Sequence, residues 1–443
     1  MEEDRWTPHQ AVKRNQPENL EKPSKGKIAY MLGVFPSVSL TFVMREINAI
    51  IQDGYEVFVF AVKRHPDHDV DQHLFKPEIL SQCTYARPDQ VLGHLLANLK
   101  IAVMHPFRYF GALWIFLRQI FWLEPGGFFR LVYHFFCGIG FVDQLRTRRI
   151  AHMHCHFSTG SDMALAIHRF CGIPFSFTAH ASGDIFIKPV LLQEKLRYAQ
   201  FAVGVCEYSK AYLDSVTDYQ YSRKITRNYN GVDVSEPERF LGSIGRWNVE
   251  KNRVGERIRL ISVGRLIGFK GYGTFIETCR ILKDKGYRIQ CSIIGDGPDR
   301  NILEQMVQAK GVGGVITFSG SLPLKKVYEA LAHADIFVLL SEIHLSGSRD
   351  AFPTVILEAM LMSLPVVSTW ISGIPEIVVN GKTGFLVQER NPLMAAEAIG
   401  RLIHDGELRK RMGEAGRAKV LKDFDIDQTS KQLVQLFSKY FQR

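Results

Sequence analysis

The sequence predicts an α/β protein with two successive doubly wound parallel sheets. The chain has 443 residues, more than one hydrophobic core usually serves, so two domains of roughly 200 residues each are expected. Short apolar strands alternate with amphipathic helices through most of the length, which is typical of parallel sheets covered by helices. A polar, glycine-containing stretch at 235–256 interrupts the alternation and is predicted to link the two domains.

The elements follow in order. Residues 1–26 are polar and charged, and a disordered lead-in is expected there. The first domain, predicted over 27–234, opens with the strand KIAYMLGV, a helix and the strand EVFVFAVK. The second, predicted over 257–420, repeats the pattern from the strand IRLISV to the strand PVVST. The segment 421–443 is predicted to be a helix.

Composition narrows the classes of function. The net charge of +10 indicates an anionic partner, which is nucleic acid, a phosphate-rich substrate or an acidic membrane surface. Basic runs interleaved with aromatics are missing from the sequence, so nucleic acid is not expected. The seven cysteines form no CxxC pair, which predicts reduced thiols in a cytoplasm. The polar start predicts no secretory signal, and no apolar run reaches the roughly 18 residues that a membrane span needs.

Three histidines alternate in the stretch AHMHCHFSTG. His152, His154 and His156 would face one side of a strand, where the first and last lie about 13 Å apart, too far to share one metal ion. Helices cover both faces of a doubly wound sheet, so His152 and His154 should be interior. Only His156, at the carboxyl end, should reach the crevice where such sheets bind ligands. We therefore expect no metal site here.

Two carboxylates surround a helix start in the stretch SRDAFPTVILEAM. Pro353 suits the first turn, Asp350 and Phe352 precede it, and Glu358 lies about 7–8 Å along the axis. A carboxylate in so apolar a run is costly to bury unless it binds something. One interpretation is an ion pair with a neighbouring Lys or Arg. The other is a nucleotide-sugar site, with the sugar near Asp350, the diphosphate at the helix start and the ribose near Glu358.

Two loops that follow strands add to this interpretation. Arg265 and Lys270 lie in the strand-to-helix loop of SVGRLIGFKGYGTF, where two cations can neutralise a diphosphate leaving group. The turn GDGP contains Gly297, which either approaches the same ligand or serves only the backbone.

These motifs resemble glycosyltransferase family 4 in order and spacing. The second half is similar in GRLIGFKG, IIGDGP, Asp350-x7-Glu358, PVVST and SGIPEIVVNGKTGFLV. The first half is similar in FPSVSLTFVMREI, HMHCHFSTGSDMA, GIPFSFTAHASGDIF and NGVD to the branch that builds bacterial exopolysaccharide and colanic-acid-type polymers. The resemblance covers about 27–425. It implies the GT-B fold, with two Rossmann-like domains facing a central cleft and the C-terminal helix returning to the first domain.

The resemblance also implies roles for residues. Asp350 would contact the donor sugar and Glu358 the ribose, while Arg265 and Lys270 would bind the diphosphate of a nucleoside-diphosphate-sugar. His180 would face the transferred sugar as a catalytic residue beside Asp350. Transfer would retain the donor's anomeric configuration, with no cofactor and no obligatory metal ion. The remaining donor-side residues would be Phe352, Pro353 and Gly297, and the acceptor-side residues would be Ser37, Ser39, His156 and Asp184.

The chain departs from the family at two places. Relatives usually carry Glu-Gly where this chain has Asp350-Ala351, and often Glu where Leu40 stands. A carboxylate one methylene shorter moves by roughly 1.5 Å, which weakens positioning. The expected function is sugar transfer to a polysaccharide or lipid-linked saccharide. The alternatives are a sugar-nucleotide epimerase of the same fold, or a catalytically weak nucleotide-sugar-binding or scaffold protein of a polymer-synthesis complex.

The region 100–145 is unusually aromatic. One interpretation is a helix that covers the sheet. The other is an interfacial helix that docks on anionic lipid near a lipid-linked acceptor, so the protein is expected in the cytoplasm or on the inner face of the plasma membrane. The residues that recur at helical spacing are Phe107, Phe110, Trp114, Leu117 and Phe121, with Arg108 and Arg118 among them.

Overall fold

The chain forms two parallel β-sheets, each flanked by helices. This computed structural model describes residues 24–37, 40–64, 77–87, 91–180, 185–187, 189–242 and 257–441. Within those ranges every strand pair in the two sheets is parallel. The predicted α/β class with two doubly wound sheets is confirmed.

The first sheet belongs to the first domain. Its strands are β1 (Lys27–Val34), β2 (Glu56–Lys63), β3 (Cys83–Arg87), β4 (His152–His156), β5 (Phe175–Ala179), β6 (Ala202–Gly204) and β7 (Ile225–Arg227). They lie in the order β3-β2-β1-β4-β5-β6-β7. Strand β1 is almost wholly apolar because helices cover both of its faces.

Ten helices of the first domain are described. They are α1 (Thr41–Gln52), α2 (Pro77–Ser81), α3 (Val91–Met104), α4 (Pro106–Leu117), α5 (Pro125–Gly140), α6 (Val142–Thr147), α7 (Phe157–Cys171), α8 (Leu192–Tyr198), α9 (Glu207–Val216) and α10 (Glu236–Leu241). A short 3-10 helix, Arg118–Phe121, follows α4. In helix α1 the apolar residues Val43, Ile47 and Ile50 recur at helical spacing on one face, and all three are fully buried.

The second sheet repeats the topology with one strand fewer. Its strands are β8 (Ile258–Val263), β9 (Ile289–Ile294), β10 (Ile316–Phe318), β11 (Ile336–Leu339), β12 (Val366–Thr369) and β13 (Gly384–Val387), in the order β10-β9-β8-β11-β12-β13. Its helices are α11 (Tyr272–Asp284), α12 (Arg300–Ala309), α13 (Leu324–Ala332), α14 (Thr354–Leu361), α15 (Ile374–Ile377), α16 (Pro392–His404) and α17 (Gly406–Asp423). A 3-10 helix, Gly268–Lys270, precedes α11.

The last helix, α18 (Ile426–Phe441), returns to the first domain and packs on α1. The ring of Phe437 contacts the rings of Tyr55 and His152, and the Tyr55 hydroxyl lies 3.2 Å from Ser438 Oγ. The expected return of the C-terminal helix is therefore confirmed.

Strand order reverses once in each sheet, between β1 and β4 and between β8 and β11. Loops that leave two neighbouring strands in opposite directions open a crevice at the carboxyl edge of a sheet. The sequence-predicted residues follow these strands: Ser37 follows β1, His156 ends β4, Arg265 and Lys270 follow β8, and Asp350 follows β11. The topology thus brings the candidate site to the two switch points.

The predicted connection at 235–256 differs from expectation at its start. Residues Glu236–Leu241 form α10, and the Glu236 side chain is fully buried. This part of the interval belongs to the packed structure, because the carboxylate is held by ion pairing described below. Residues 243–256 lie outside the described residues, as do residues 1–23 of the predicted lead-in.

Of the helices described, none is both long and apolar enough to cross a membrane.

Candidate functional site

A lysine and a carboxylate meet at the switch point of the second sheet. Lys270 ends the 3-10 helix after β8, and its Nζ lies 2.8 Å from Oδ1 of Asp350, in the loop after β11. The Ser341 hydroxyl donates to the other oxygen of Asp350 at 2.5 Å. An ammonium group has three N–H donors, and among the described residues Asp350 uses one of them. Lys270 can therefore hold a second anion while staying bound to Asp350.

The loop that carries Lys270 is supported by close contact with the GDGP turn. The Leu266 N–H donates to the Asp296 carbonyl at 2.9 Å. A Cβ at Gly297 would lie 2.3 Å from the Leu266 carbonyl oxygen, so only glycine allows this approach. Gly297 therefore serves the packing of two loops. Arg265 is exposed and has no ion-pair partner in the described part of the chain.

The start of α14 lies at the boundary between the domains. Pro353 occupies the N-cap position, one residue earlier than predicted. The Phe352 ring stacks on Tyr229 at 5.2 Å and meets Phe424 edge-on at 5.7 Å. Phe352 is buried, and its ring fills this aromatic cluster.

Glu358 takes part in a buried ion cluster between the domains. Arg45 of α1 donates to Glu358 Oε1 at 3.0 Å and to both oxygens of Glu236 at 2.9 and 2.6 Å. The Tyr328 hydroxyl donates to Glu236 Oε2 at 3.0 Å. Burial raises the pKa of Glu358, and the Arg45 charge opposes that effect. In this structure Glu358 is therefore ion-paired, and its partner is Arg45. No described hydrogen bond or ion pair joins Glu358 to Lys270 or Asp350.

The two histidines of the first domain that were expected near the cleft contact each other. His156 Nδ1 lies 2.7 Å from His180 Nε2, and the rings stack with centroids 5.0 Å apart. Phe42 and Phe157 pack on His180 at 4.8 and 4.6 Å, and the backbone at Phe157 adopts φ +63°. Burial lowers the pKa of His180 well below its usual value, and His156 adds to the effect. Burial therefore favours the neutral form of the His180 imidazole.

His156 itself differs from expectation. The sequence places it in the crevice, yet it is fully buried, while His180 keeps 6% exposure. His156 therefore reaches the cleft through His180. The other two histidines of the row are interior as predicted: His152 Nε2 lies 2.7 Å and His154 Nδ1 lies 2.8 Å from the Ser176 hydroxyl.

The sequence analysis did not identify Glu46, whose carboxylate contacts His154 and His156. Its Oε1 is 3.1 Å from His156 Nε2 and 3.7 Å from His154 Nε2, and it accepts from the Tyr30 hydroxyl at 2.7 Å. The signal was present, since Arg45 and Glu46 stand in the middle of the apolar helix TFVMREINAII. Charged residues in such a position need partners when they are buried.

Glu46, His154 and His156 are also a group that could hold a metal ion. One ligand atom from each lies within 4.8 Å of the others. The contact between Glu46 and His156, at 3.1 Å, has the length of a hydrogen bond.

The acceptor-side residues are only partly described. The Ser37 carbonyl accepts from the Leu40 N–H at 2.9 Å, which turns the chain into α1. Ser39 and Asp184 lie outside the described residues.

A carboxylate of the second domain caps a helix of the first. Glu376 accepts from the N–H groups of Glu207 and Tyr208 at 2.8 and 3.0 Å, at the start of α9, and from the Tyr229 hydroxyl at 3.0 Å. A negative charge at a helix N-terminus is stabilising. This contact holds the two domains together beside the cleft.

The aromatic region has an exposed face. Of the stripe predicted at helical spacing, Phe107 is 94% and Phe121 86% exposed, while Tyr109 and Phe116 on the opposite side of α4 are buried. The predicted stripe therefore faces outward, while the opposite face of α4 packs against the rest of the first domain. Together with neighbours on α3, these side chains form what we call the apolar surface: Leu92, Leu95, Leu96, Leu99, Val103, Phe107, Phe110, Trp114, Phe121 and Trp122.

Comparison with known proteins agrees with this geometry. Residues 244–419 match the family model described as Glycosyl transferases group 1, and this interval holds most of the second domain. The chain is 32% identical over 209 residues to the putative colanic acid biosynthesis glycosyltransferase WcaL of Salmonella typhimurium, across 45% of this chain and 51% of that protein. The chain spans about half the length of the curated relatives it matches.

Solved structures match over nearly the whole chain. A glycosyltransferase from Rickettsia africae superposes with a TM-score of 0.67 at 16% identity, covering 94% of this chain and 98% of that chain. Anabaena Alr3699/HepE in complex with UDP superposes with a TM-score of 0.66 at 15% identity, covering 93% and 100%. The two sheets and their arrangement are those of the GT-B fold.

Proposed function

We propose that the chain is a retaining glycosyltransferase of family 4, which moves a sugar from a nucleoside-diphosphate-sugar to a polysaccharide or lipid-linked saccharide during synthesis of cell-surface polysaccharide. The group 1 domain over 244–419 supports sugar transfer. The relative named for colanic acid biosynthesis supports a polysaccharide product. The UDP in the Anabaena structure supports a nucleotide-linked donor.

One observation carries the proposal, namely the contact of Lys270 with Asp350 at 2.8 Å. It puts a cation and a carboxylate at the point where β8 and β11 diverge, which is where open parallel sheets bind ligands. A nucleoside-diphosphate-sugar offers groups that suit both. Its diphosphate is anionic and binds the ammonium, and its sugar has hydroxyls that donate to the carboxylate.

The chemistry follows from these groups. As the bond between sugar and diphosphate breaks, negative charge grows on the leaving phosphate, and Lys270 with the exposed Arg265 stabilises it. These two side chains supply the charge that a metal ion supplies in other transferases, so we expect no obligatory metal. Asp350 orients the sugar, and the acceptor attacks from the side that the diphosphate leaves, which retains the configuration.

The test uses UDP-glucose, GDP-mannose and ADP-glucose with the purified protein. Thermal shift identifies the sugar nucleotide that binds, and released nucleoside diphosphate is then measured with and without EDTA. Release that survives EDTA supports the proposal. An epimerised sugar would replace it with the epimerase alternative, and binding without turnover would replace it with the binding-protein alternative.

We also propose that the apolar surface docks on the anionic inner face of the plasma membrane, close to a lipid-linked acceptor. Ten large apolar side chains are exposed together on α3, α4 and the turn after α4. Exposed patches of this kind mark interaction sites. Arg108 is exposed on α4 and Arg130 on α5, and the chain carries a net charge of +10. Aromatic side chains flanked by arginines suit the boundary between lipid headgroups and acyl chains.

Vesicle sedimentation tests this proposal. The full chain should sediment with vesicles of phosphatidylglycerol and phosphatidylcholine, and high salt should release part of it because salt screens charge. Phe107→Ser with Phe121→Ser should abolish sedimentation. Leu345→Ser is the matched control, since Leu345 is also 94% exposed but lies in the second domain. Failure to bind at low salt, or a dimer that buries the same surface, would contradict the proposal.

A further inference from the structure

The loop that carries Asp350 contacts the first domain on both sides of Asp350. Arg349 precedes it, and the Arg349 guanidinium lies over the Phe186 ring, 4.7 Å from the ring centroid. Ala351 follows it, and the Ala351 carbonyl oxygen lies 3.6 Å from Cys206 Sγ. The loop between β11 and α14 contains no helix or strand, so contacts of this kind must keep it in one position.

Arg349 makes the larger of these two contacts, and it uses the face and the edge of its guanidinium together. The face covers the Phe186 ring. At the edge, Nη1 donates to the Tyr208 hydroxyl oxygen at 3.1 Å, and Nε donates to the Gly347 carbonyl of its own loop at 3.1 Å. A planar group with several donors can stack and bond in this way, whereas the ammonium of a lysine cannot. We call this arrangement the Arg349–Phe186–Tyr208 contact.

The first-domain side of this contact is itself fixed. Phe186 is 7% exposed, and the Tyr212 ring meets it edge-on with centroids 5.0 Å apart. The Tyr208 main-chain N–H donates to Glu376 Oε1 at 3.0 Å. Tyr208 is therefore bonded to the second domain through its main chain and through its side chain.

Asp350 is thus held from two directions. Within the second domain, its carboxylate contacts Lys270 Nζ at 2.8 Å and the Ser341 hydroxyl at 2.5 Å. Its backbone neighbour Arg349 is bound to the first domain. The position of the Asp350 carboxylate in the cleft therefore depends on residues of both domains, and a substitution of Arg349 removes the first-domain part alone.

We propose that Arg349 is a positioning residue for Asp350: by binding Phe186 and Tyr208 it fixes the Asp350 loop to the first domain, so that a donor sugar held by Asp350 lies at a set distance from a saccharide bound to the first domain. The inference rests on the proposed function for the role of Asp350. Arg349 has a different task from Lys270, because the Arg349 charge is directed at a ring and a hydroxyl and not at a phosphate.

Hydrogen–deuterium exchange of the free full-length protein tests the attachment without any substrate. Arg349→Met keeps the apolar stem and removes both contacts with the first domain. Peptides that span 344–351 should then exchange faster, on the order of 10-fold, because a hydrogen bond and a cation–π contact are lost. Tyr208→Phe removes only the hydrogen bond and should give a smaller increase. Unchanged exchange in Arg349→Met overturns the proposal.

Arg401→Met is the matched control for this measurement. The Arg401 guanidinium also lies over a ring, that of Phe385 at 4.4 Å, but both residues belong to the second domain and Phe385 is on its edge strand β13. Exchange of 344–351 should stay at the wild-type rate in this variant. An increase equal to that of Arg349→Met would also overturn the proposal.

Turnover is the second readout. With the sugar nucleotide that the protein accepts, Arg349→Met should lower kcat on the order of 10–100-fold, since a misplacement of about 1 Å can cost that much. The affinity for free nucleoside diphosphate should stay unchanged, because that ligand lacks the sugar. Weaker binding of free nucleoside diphosphate would show that Arg349 contacts the phosphates directly, and it overturns the positioning role.

Two further variants separate position from charge. Arg349→Lys keeps the charge but not the combined stacking and bonding, so it should restore kcat only in part. Adding Tyr208→Phe to Arg349→Met should cause no further loss, because both substitutions act on the same contact. Full activity in Arg349→Lys, or losses that multiply in the double variant, overturn the proposal.

The two proposals fail separately. Faster exchange of 344–351 in an Arg349→Met protein whose wild-type form turns over no sugar nucleotide contradicts only the proposed function. Turnover by the wild-type protein, with exchange unchanged in Arg349→Met, contradicts only the positioning role.

Discussion

The carboxyl edges of the two sheets have the same topology and opposite chemistry. At the edge of the second sheet, Lys270 and Asp350 form an ion pair and Arg265 is exposed beside them. At the edge of the first sheet, the groups nearest the cleft are His156 and His180, which are packed among aromatic rings. Strand order therefore decides where a ligand binds, and the residues after each strand decide what kind of ligand it is.

Under the proposed function, this difference assigns the donor to one edge and the acceptor to the other. A charged edge suits an anionic diphosphate, and an edge of imidazoles and aromatic rings suits the hydroxyls and apolar faces of a saccharide. Arg45 of α1 joins the two domains, because it pairs with Glu358 on α14 of the second domain as well as with Glu236 on α10. The predictions below test this contrast in order of expected effect.

The largest effect on stability is expected at the buried ion cluster between the two domains. Arg45→Leu leaves Glu236 and Glu358 buried without their cation, and such a change typically costs about 3–5 kcal/mol. The midpoint of urea unfolding should fall accordingly. Lys25→Leu is the control, because Lys25 pairs with Asp53 at the surface, where an ion pair contributes about 0–1 kcal/mol. Equal losses in the two variants would show that the buried cluster does not join the domains.

The second largest effect is expected at the carboxyl edge of the second sheet, where Lys270 pairs with Asp350. Lys270→Ala should weaken the binding of free nucleoside diphosphate by about 1.5–3 kcal/mol, because a charged hydrogen bond to phosphate is lost. Calorimetry with UDP and GDP measures it. Lys382→Ala serves as the control, since Lys382 is an exposed lysine just before β13, at the other end of the sheet. Unchanged nucleotide affinity in Lys270→Ala would contradict the diphosphate assignment.

Substitutions of Asp350 and Glu358, the two carboxylates of the second domain, should have different kinetic effects. Asp350→Asn should lower kcat with little change in affinity for free nucleoside diphosphate, because the contact proposed for Asp350 is with the sugar. Glu358→Gln should raise the donor KM and weaken free nucleotide if the ribose displaces Arg45. Steady-state kinetics and calorimetry check both. Normal turnover in Asp350→Asn, with nucleotide binding unchanged in Glu358→Gln, would contradict this division of roles.

The smallest effect concerns a first-domain charge away from the cleft. Asp162 is buried and lies 2.7 Å from Lys195 Nζ and 2.8 Å from His134 Nδ1. Burial raises the pKa of Asp162, but Lys195 and His134 outweigh it, so the net shift is downward. The unfolded chain then binds the proton more readily, and stability present above the usual pKa near 3.8 is lost as the pH falls through the lower folded value.

Urea unfolding as a function of pH measures this effect. The wild-type midpoint should decline in acid, and Asp162→Asn should remove that part of the decline while lowering stability at neutral pH. An identical acid decline in both proteins would contradict the assignment.

Local pattern predicted the two sheets, which followed from the alternation of strands and helices. It singled out Lys270 and Asp350 as candidate residues but not their mutual contact, which depends on loops that leave adjacent strands. Pattern did not predict the partner of Glu358, because Arg45 lies 313 positions away in the chain. It also missed Glu46, because the contact of Glu46 with His156 depends on how α1 packs against β4.

The aromatic region shows another limit of periodicity. Helix α4 carries apolar side chains on both faces, with Phe107 and Trp114 exposed and Tyr109 and Phe116 buried. A period of 3.6 residues identifies a face but not its environment. The positions of α5 and α7, which both pack on α4, determine which face is buried.

The contact between the two glycine-rich loops has a consequence for how such sequences can diverge. A Cβ at Gly297 would stand 2.3 Å from the Leu266 carbonyl, and one at Gly295 would stand 2.0 Å from the Gly264 carbonyl. Neither loop can accept a larger residue or a change of length there unless the other moves as well. In an alignment of descendants, the loops after β8 and β9 should therefore change together or not at all. A lineage that acquires a different donor is expected to do so by substitutions elsewhere around the cleft.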